Sequence, residues 1–583
     1  PELAYLFKHL VTHEVAYESL AHTTRAQLHG LYALYLEDAY PDRLDQLAPQ
    51  LAHHFEQAQN QDKARVYLFK AGEQAAASYA NDEALVYFNR ALDLTPETET
   101  RARFDTLSKR ERVFDLQGKR LEQRLDLAKL TQLASQLDDA PVLRAQIAIR
   151  QAKLEIDVGD FAAAMSSARA AIQEIEGDAH THGHAPELLV DALLMEAQAM
   201  FSAGQAAATK PQLEDALTLA REHHYVRGEY NSLAQLGLWG WHTGDYNAAA
   251  DMMEQSLLLI QQASDVRREI EILNNLGIIA KAKSRFSEAI SYYERAQKIA
   301  HKIGDRSGEA TLLNNMGSAS LASGDFVQAG FCSEQAAAMA VEVNERTLQG
   351  MALTNRGEAY RELGQYRLAS ITVAQALALF QSSGYRRGEA IALDNIGLVE
   401  FALGNYANAL QAILAGLEMA REIGLRSTEA SSLLPLGLIY TETGQFDAAE
   451  HALSAANSIV HDLGDELTMF GVQGALANLV LARGRNGELE RARDYLNELL
   501  SLLLQEPPNE KTRFLPMWLY LTGIRVLQAH NDPRSAQLIG RADLELRSRS
   551  NKITDNSLRF GFLAIPEHSA ITALARGFAS PEI

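Results

Sequence analysis

Three groups of residues have types and spacings that could do chemistry, and each stops short of a site. His180, His182 and His184 alternate inside the insertion 176–187, and three imidazoles so placed could hold Zn2+ or Ni2+. No cysteine or carboxylate stands at a firm ligand spacing beside them, so the segment reads as a polar loop and no metal is assigned. His13-Glu14 opens like the His-Glu-x-x-His helix of zinc peptidases, but Tyr17 stands where the second histidine is required. Gly118-Lys119-Arg120 fails the phosphate-loop pattern, which needs a serine or threonine after the lysine, so ATP binding is not expected. His53-His54 reads as half-buried packing on a helix, and Cys332, the single cysteine, as a small buried residue. No serine, histidine and aspartate fall in a supported nucleophile order, and neither G-x-S-x-G nor a dinucleotide fingerprint occurs. The chain is expected to be no enzyme and to need no cofactor.

A different set of polar residues recurs in register. Asn275, Asn315, Asn355 and Asn395 are 40 residues apart, Gln235 holds the position one unit earlier, and Pro435 interrupts the series. Asparagine is a mediocre helix former, so four in register need a reason. Its amide both donates and accepts, and a ladder of amides could hold the backbone of an extended peptide whatever its side chains. The other reading is that these amides bond the neighbouring repeat and set the pitch of the stack. Near them stand Trp239, Trp241, Lys281, Arg356, Glu358, Arg361, Phe401 and Glu442. Arginine can clamp a carboxylate through two bonds and tryptophan can anchor an apolar side chain. Ordinary packing between repeats is the alternative for each.

The elements that must position these residues are announced by small side chains. Gly237, Gly277, Gly317, Gly357, Gly397 and Gly437 form one column with a period of 40 residues. Gly244, Ser284, Gly324, Gly364, Gly404 and Gly444 form a second; Ala249 to Ala449 a third; and Ser256, Ala296, Ala336, Ala376, Gly416 and Ala456 a fourth. Four columns in one register define a repeat of two helices. The first glycine lies inside helix A, where it costs about 1 kcal/mol relative to alanine, so a close approach of another helix must offset it. The second small residue ends helix A and admits the turn into helix B. The last two columns face helix A from helix B. Glu309, Glu389 and Glu429 fall in the first turn of the next helix A, where a carboxylate suits the dipole. Gly72, Glu111, Ala152 and Ala197 continue the first column upstream and Ala477 downstream, giving about eleven helix pairs.

This pattern resembles the tetratricopeptide repeat, on Leu436-Gly437…Tyr440 and Arg356-Gly357…Tyr360. The unit is longer than the family's usual one and is similar to the 40-residue form of spindle-orientation adaptors and many bacterial signalling proteins. The resemblance implies an all-α fold, a right-handed superhelix whose helices A line a concave groove. It also implies that a protein or peptide occupies that groove against Gln235, Trp239, Trp241, Asn275, Lys281, Asn315, Asn355, Arg356, Arg361 and Asn395.

The first 95 residues resemble a further group. Glu14-Val15-Ala16-Tyr17-Glu18-Ser19-Leu20, Arg25 and Leu28-His29, then Leu51 to Glu56, Lys70 to Glu73 and Glu83-Ala84…Tyr87, are similar to the junction between the ATPase module and the repeats of STAND-class bacterial signalling ATPases. There the segment closes a winged-helix region. The resemblance implies an upstream nucleotide-binding module and a regulatory role for this chain, which starts at Pro1 and is taken as a piece of something longer. The organisation expected is a helical remnant over 1–40, degenerate repeats over 41–229, a regular array over 230–506 and capping helices over 507–583. Two rival roles are a free-standing adaptor between two proteins and a receptor of the peptide-pheromone type.

Composition agrees with a helical scaffold. Fourteen prolines in 583 residues and 7% aromatics favour helices over strands. A formal charge of −21 argues against a nucleic-acid surface. One cysteine fits a reducing cytoplasm. No apolar run approaches the roughly 18 residues of a membrane span.

Overall fold

The computed structural model describes residues 15, 17–78, 80–177, 185–485, 488–505 and 515–579. His13-Glu14, the histidines of the insertion and Pro507-Pro508 lie outside them. Among the described residues there are 28 α-helices and no strand. α1 (His22–Ala39) and α2 (Ala48–Gln57) come first. Eleven pairs in the predicted register follow. They are α3 (Gln61–Ala77) with α4 (Asn81–Leu94), α5 (Thr100–Leu116) with α6 (Arg120–Ala134), α7 (Ala140–Asp157) with α8 (Phe161–Glu176), and α9 (Pro186–Ser202) with α10 (Lys210–Glu222). Next are α11 (Val226–His242) with α12 (Tyr246–Ala263), α13 (Val266–Ala282) with α14 (Phe286–Ile303), α15 (Arg306–Ala322) with α16 (Phe326–Glu342), and α17 (Arg346–Glu362) with α18 (Tyr366–Ser383). Then come α19 (Arg386–Ala402) with α20 (Tyr406–Glu422), α21 (Arg426–Glu442) with α22 (Phe446–Leu463), and α23 (Glu466–Arg483) with α24 (Leu489–Leu504). α25 (Met517–Ala529), α26 (Arg534–Lys552), α27 (Asn556–Leu563) and α28 (Pro566–Ala579) complete the chain. It divides into two compact units, Pro1–Leu259 and Ile260–Ile583.

The glycine column does what its spacing predicts, and the structure names the partner. A Cβ at Gly72 would stand 2.5 Å from the Phe88 ring, at Gly277 2.4 Å from Tyr293, at Gly357 2.3 Å from Val373, at Gly397 2.5 Å from Ile413 and at Gly437 2.4 Å from Leu453. Each clash lies 16 residues on, at the centre of the pair's own helix B. The glycine is a socket for one large side chain, and Tyr293, Phe88, Val373, Ile413 and Leu453 are all at most 1% exposed. Removing the socket would force two helices apart or a side chain off its rotamer. The alanines of the third and fourth columns, Ala249 to Ala449 and Ala296 to Ala456, are fully buried.

The second column closes helix A in the left-handed conformation, and there even Ser284 adopts φ 58°. In the first unit Glu111 replaces the socket glycine and is 2% exposed. Gln123 Nε2 donates to it at 2.8 Å and Arg150, from the next pair, lies 3.3 Å away. A buried carboxylate with such partners is tolerated where a bare one would not be.

In the second unit α15 packs on α17, α17 on α19, α19 on α21 and α21 on α23, while no packing of that extent links α14, α16, α18, α20 and α22 among the described residues. The first helix of each pair therefore lines the tighter, inner side of this unit. Two of the carboxylates at the start of helix A reach back across their joints: Glu429 meets Arg421 at 2.8 Å, and Glu309 accepts from Gln297 at 2.7 Å. α25 and α26 extend the stack as a further pair. α27 and α28 do not. They return to the turns after α15 and α17, where Phe562 meets Phe326 at 6.2 Å between ring centroids and Leu363 joins the same buried cluster.

Candidate functional site

The asparagines reach between repeats. Asn315 Nδ2 donates to Asn274 Oδ1 at 2.8 Å, and Asn355 Nδ2 to Asn314 Oδ1 at 2.9 Å. Each bond joins one helix A to the one before it, at a step of 41 residues. Asn395 instead donates to Ile391 O of its own helix at 3.1 Å. Its predecessor in the partner column is Thr354, and Asp394 is held by Ser432 Oγ at 2.7 Å. Asn275 and Gln235 are half-buried on the same helix face. One amide hydrogen of Asn315 and of Asn355 is thus committed to the stack, and the second amide hydrogen and the carbonyl oxygen are not used by these bonds.

Three of the flanking side chains, Lys281, Glu358 and Arg361, converge with Ser318 from three successive first helices. Lys281 Nζ, at the end of α13, lies 2.5 Å from Ser318 Oγ on α15. On α17, Arg361 stands 3.7 Å from Glu358 and 2.8 Å from Glu362. Desolvation pulls the Lys281 ammonium below its usual range, partly offset by the Glu358 charge. Desolvation also pushes the Glu358 carboxyl up, against the pull of Arg361. Yet Glu358 keeps 38% of its side-chain surface. The Glu358 carboxyl is thus crowded by protein yet still open to solvent. Arg361 Nε is buried there without a hydrogen-bond partner. The returning C-terminal helices border this end of α17, with Glu567 acting electrostatically on Tyr366 and Glu362 on His568.

The remaining predicted residues are not brought to this cluster. Arg356 turns to the preceding second helix, 2.8 Å from Glu334, and its guanidinium stacks on Tyr360. Trp239 carries Lys210 over its ring at 4.8 Å and leaves its indole N–H without a partner. Trp241 is exposed, Glu442 is exposed and Phe401 is half-buried against the apolar cluster of the α19–α22 pairs.

A family profile of the tetratricopeptide repeat matches residues 229–302 and 308–382. Those two spans carry tetratricopeptide repeats. The matched span holds the Lys281–Ser318–Arg361 cluster and three of the four asparagines. No curated protein sequence matches the chain. Among solved structures it is similar in fold to a signal transduction ATPase with numerous domains carrying a tetratricopeptide repeat sensor, from Pyrococcus horikoshii, at 16% identity and TM-score 0.48. That match covers 63% of this chain and 55% of that one, so the chain spans about half the length of that relative. It is also similar to a Rap protein complexed with competence and sporulation factor, at 13% identity and TM-score 0.42 over 74% of this chain and 98% of that one. The quorum sensor NprR from B. thuringiensis matches at 14% identity and TM-score 0.43, over 60% and 99%.

Within the stack, sequence reasoning missed Ser318, Glu362 and the column Asn274, Asn314, Thr354 and Asp394. For the column a signal was available, since its polar residues stand one place before the asparagines. Small polar residues inside helices are common, however, and only the packing shows that one column feeds the next. Cys332 is buried as expected, with Gln328 Nε2 at 3.3 Å and a thiol pushed up by burial. His53 departs from the expected packing: it is exposed, and only His54 turns partly inward, because adjacent helix residues diverge by about 100°. No helix among the described residues is long and apolar enough to cross a membrane.

Proposed function

We propose that the chain is a non-catalytic scaffold whose second unit binds a peptide segment along its first helices, and that it serves as the cytoplasmic sensor arm of a signalling ATPase. The observation that carries the binding role is the convergence of Lys281, Ser318, Glu358 and Arg361 from α13, α15 and α17 on the inner side of the stack. Arg361 there pairs with Glu358 and Glu362 and keeps 16% of its side chain exposed, and a guanidinium suits a carboxylate of the bound segment. Asn315 and Asn355 retain a second amide hydrogen for its backbone, and Asn275 and Asn395 extend the row. Binding that favours one pitch of the stack would bias a module joined to residues 1–40. That segment's similarity to a STAND junction and the sensor role in the Pyrococcus protein's description support this part.

The test is a peptide-array and pull-down screen with the purified chain, followed by titration of the best ligand. Arg361→Ala and the pair Asn315→Ala plus Asn355→Ala should each weaken it at least tenfold. An unchanged affinity in both would remove the groove assignment.

A further inference from the structure

We propose that His29, His53 and His54 form a binding site for a transition-metal ion of the Zn2+ type, with a coordination position open to an adjoining cleft. The ring nitrogens of the three residues that could serve as ligands lie within 4.8 Å of one another. They come from two helices. His29 lies on α1, and His53 and His54 are consecutive on α2. Ring centroids are 5.0 Å apart for His29 and His54, 5.3 Å for His53 and His54, and 5.9 Å for His29 and His53.

The donor set narrows the ion. Three imidazoles without a carboxylate suit Zn2+, Cu2+ or Ni2+ and not Mg2+ or Ca2+, which require oxygen ligands. Zinc–nitrogen bonds of about 2.0–2.1 Å in a tetrahedral arrangement place two ligand atoms about 3.4 Å apart. His29 Nδ1 and His54 Nδ1 are now 2.7 Å apart, sharing a proton. They need to open by ~0.7 Å, a change that side-chain rotation supplies.

One feature prepares the site. Tyr17 OH lies 2.9 Å from His29 Nε2. If Nε2 carries the proton and donates it to the hydroxyl oxygen, Nδ1 presents its lone pair, and a fixed partner on the second nitrogen is the usual support of a metal-bound histidine. The fourth position faces a 230 Å3 cleft lined by Tyr17, Leu20, Arg25, Leu28, Tyr32 and the two histidines. Arg25 lines the same cleft, its guanidinium stacked 5.1 Å over the Tyr17 ring, and places a positive charge beside an anion bound to the ion. Three ligands plus an open position distinguish this arrangement from a closed structural zinc site.

The test uses the whole chain, stripped with a chelator and titrated with Zn2+ alone by calorimetry, then with Co2+, whose visible absorption reports tetrahedral coordination. One equivalent should bind. His29→Gln, His53→Asn and His54→Gln should each weaken Zn2+ at least tenfold and abolish the cobalt bands, with helicity by circular dichroism unchanged. His53 is exposed, so its variant tests the site even where the others disturb packing. The triple variant His180→Ser, His182→Ser, His184→Ser should bind as the parent does. Absence of a stoichiometric site, Zn2+ binding unaltered by His53→Asn, or loss confined to the triple variant would overturn the proposal.

Discussion

The carboxyl of Asp394 occupies the space that a side chain at Gly416 would need. A Cβ at Gly416 would stand 2.7 Å from Asp394 Oδ1 and 3.1 Å from Ala390 O. The same column carries buried Ala296, Ala336, Ala376 and Ala456 in other repeats, so glycine is here the complement of one buried acid. Gly416→Ala is expected to lower stability by about 1–2 kcal/mol, overpacking exceeding the gain in helix propensity. In an Asp394→Ala background the same change should be neutral or stabilising. Urea unfolding of the four proteins measures the coupling, and simple additivity would disprove the contact.

Asp394 also sets a pH dependence. Desolvation raises its carboxyl to about 7, against the opposing bond from Ser432, and Oδ1 has no hydrogen-bond partner. The folded chain therefore holds a proton that the unfolded chain releases near pH 4. The associated stability is fully present below pH 4 and is lost as pH rises to 7. Asp394→Asn should remove this dependence, so that the variant gains on the parent between pH 5 and pH 8, by at most about 4 kcal/mol for a shift of about three units. Melting temperatures across that range give the answer, and parallel curves for the two proteins would count against it.

Gly277→Ala should destabilise by about 1–3 kcal/mol, because its Cβ would lie 2.4 Å from the fully buried Tyr293 ring. Tyr293→Leu should restore tolerance to the alanine. Chemical denaturation of single and double variants tests the pairing of glycine with the residue 16 places on.

Asn314→Ala should cost about 1 kcal/mol, since the Asn355 amide loses the Oδ1 acceptor 2.9 Å away and keeps only the backbone carbonyl of residue 314 at 3.4 Å. The loss should appear as faster amide exchange at the α15–α17 joint. Exchange confined to the chain ends would show that this bond does not stitch the stack.

Phe562→Ala should cost about 3–5 kcal/mol through the cavity left beside Phe326 and Leu363. Proteolysis should then cut first between α26 and α27. An unchanged cleavage pattern would argue against the returning helices being held by this ring.

The sequence by itself determined the repeat. Period, pairing, turn positions and the eleven units follow from small residues at fixed spacing, because a helix pair admits few side chains where it crosses. It also determined which residues lie on the first helices, among them Lys281 and Arg361. Only the tertiary structure decided what those residues meet. A 40-residue period says that Asn315 follows Asn275, yet the amide bonds Asn274, one place aside, because stacked helices are offset. Nothing in the spacing says that α27 and α28 turn back to Phe326 and Leu363, or that His29 stands beside His53 and His54. Those contacts join residues far apart in the chain or off its period, and only the packed chain brings them together.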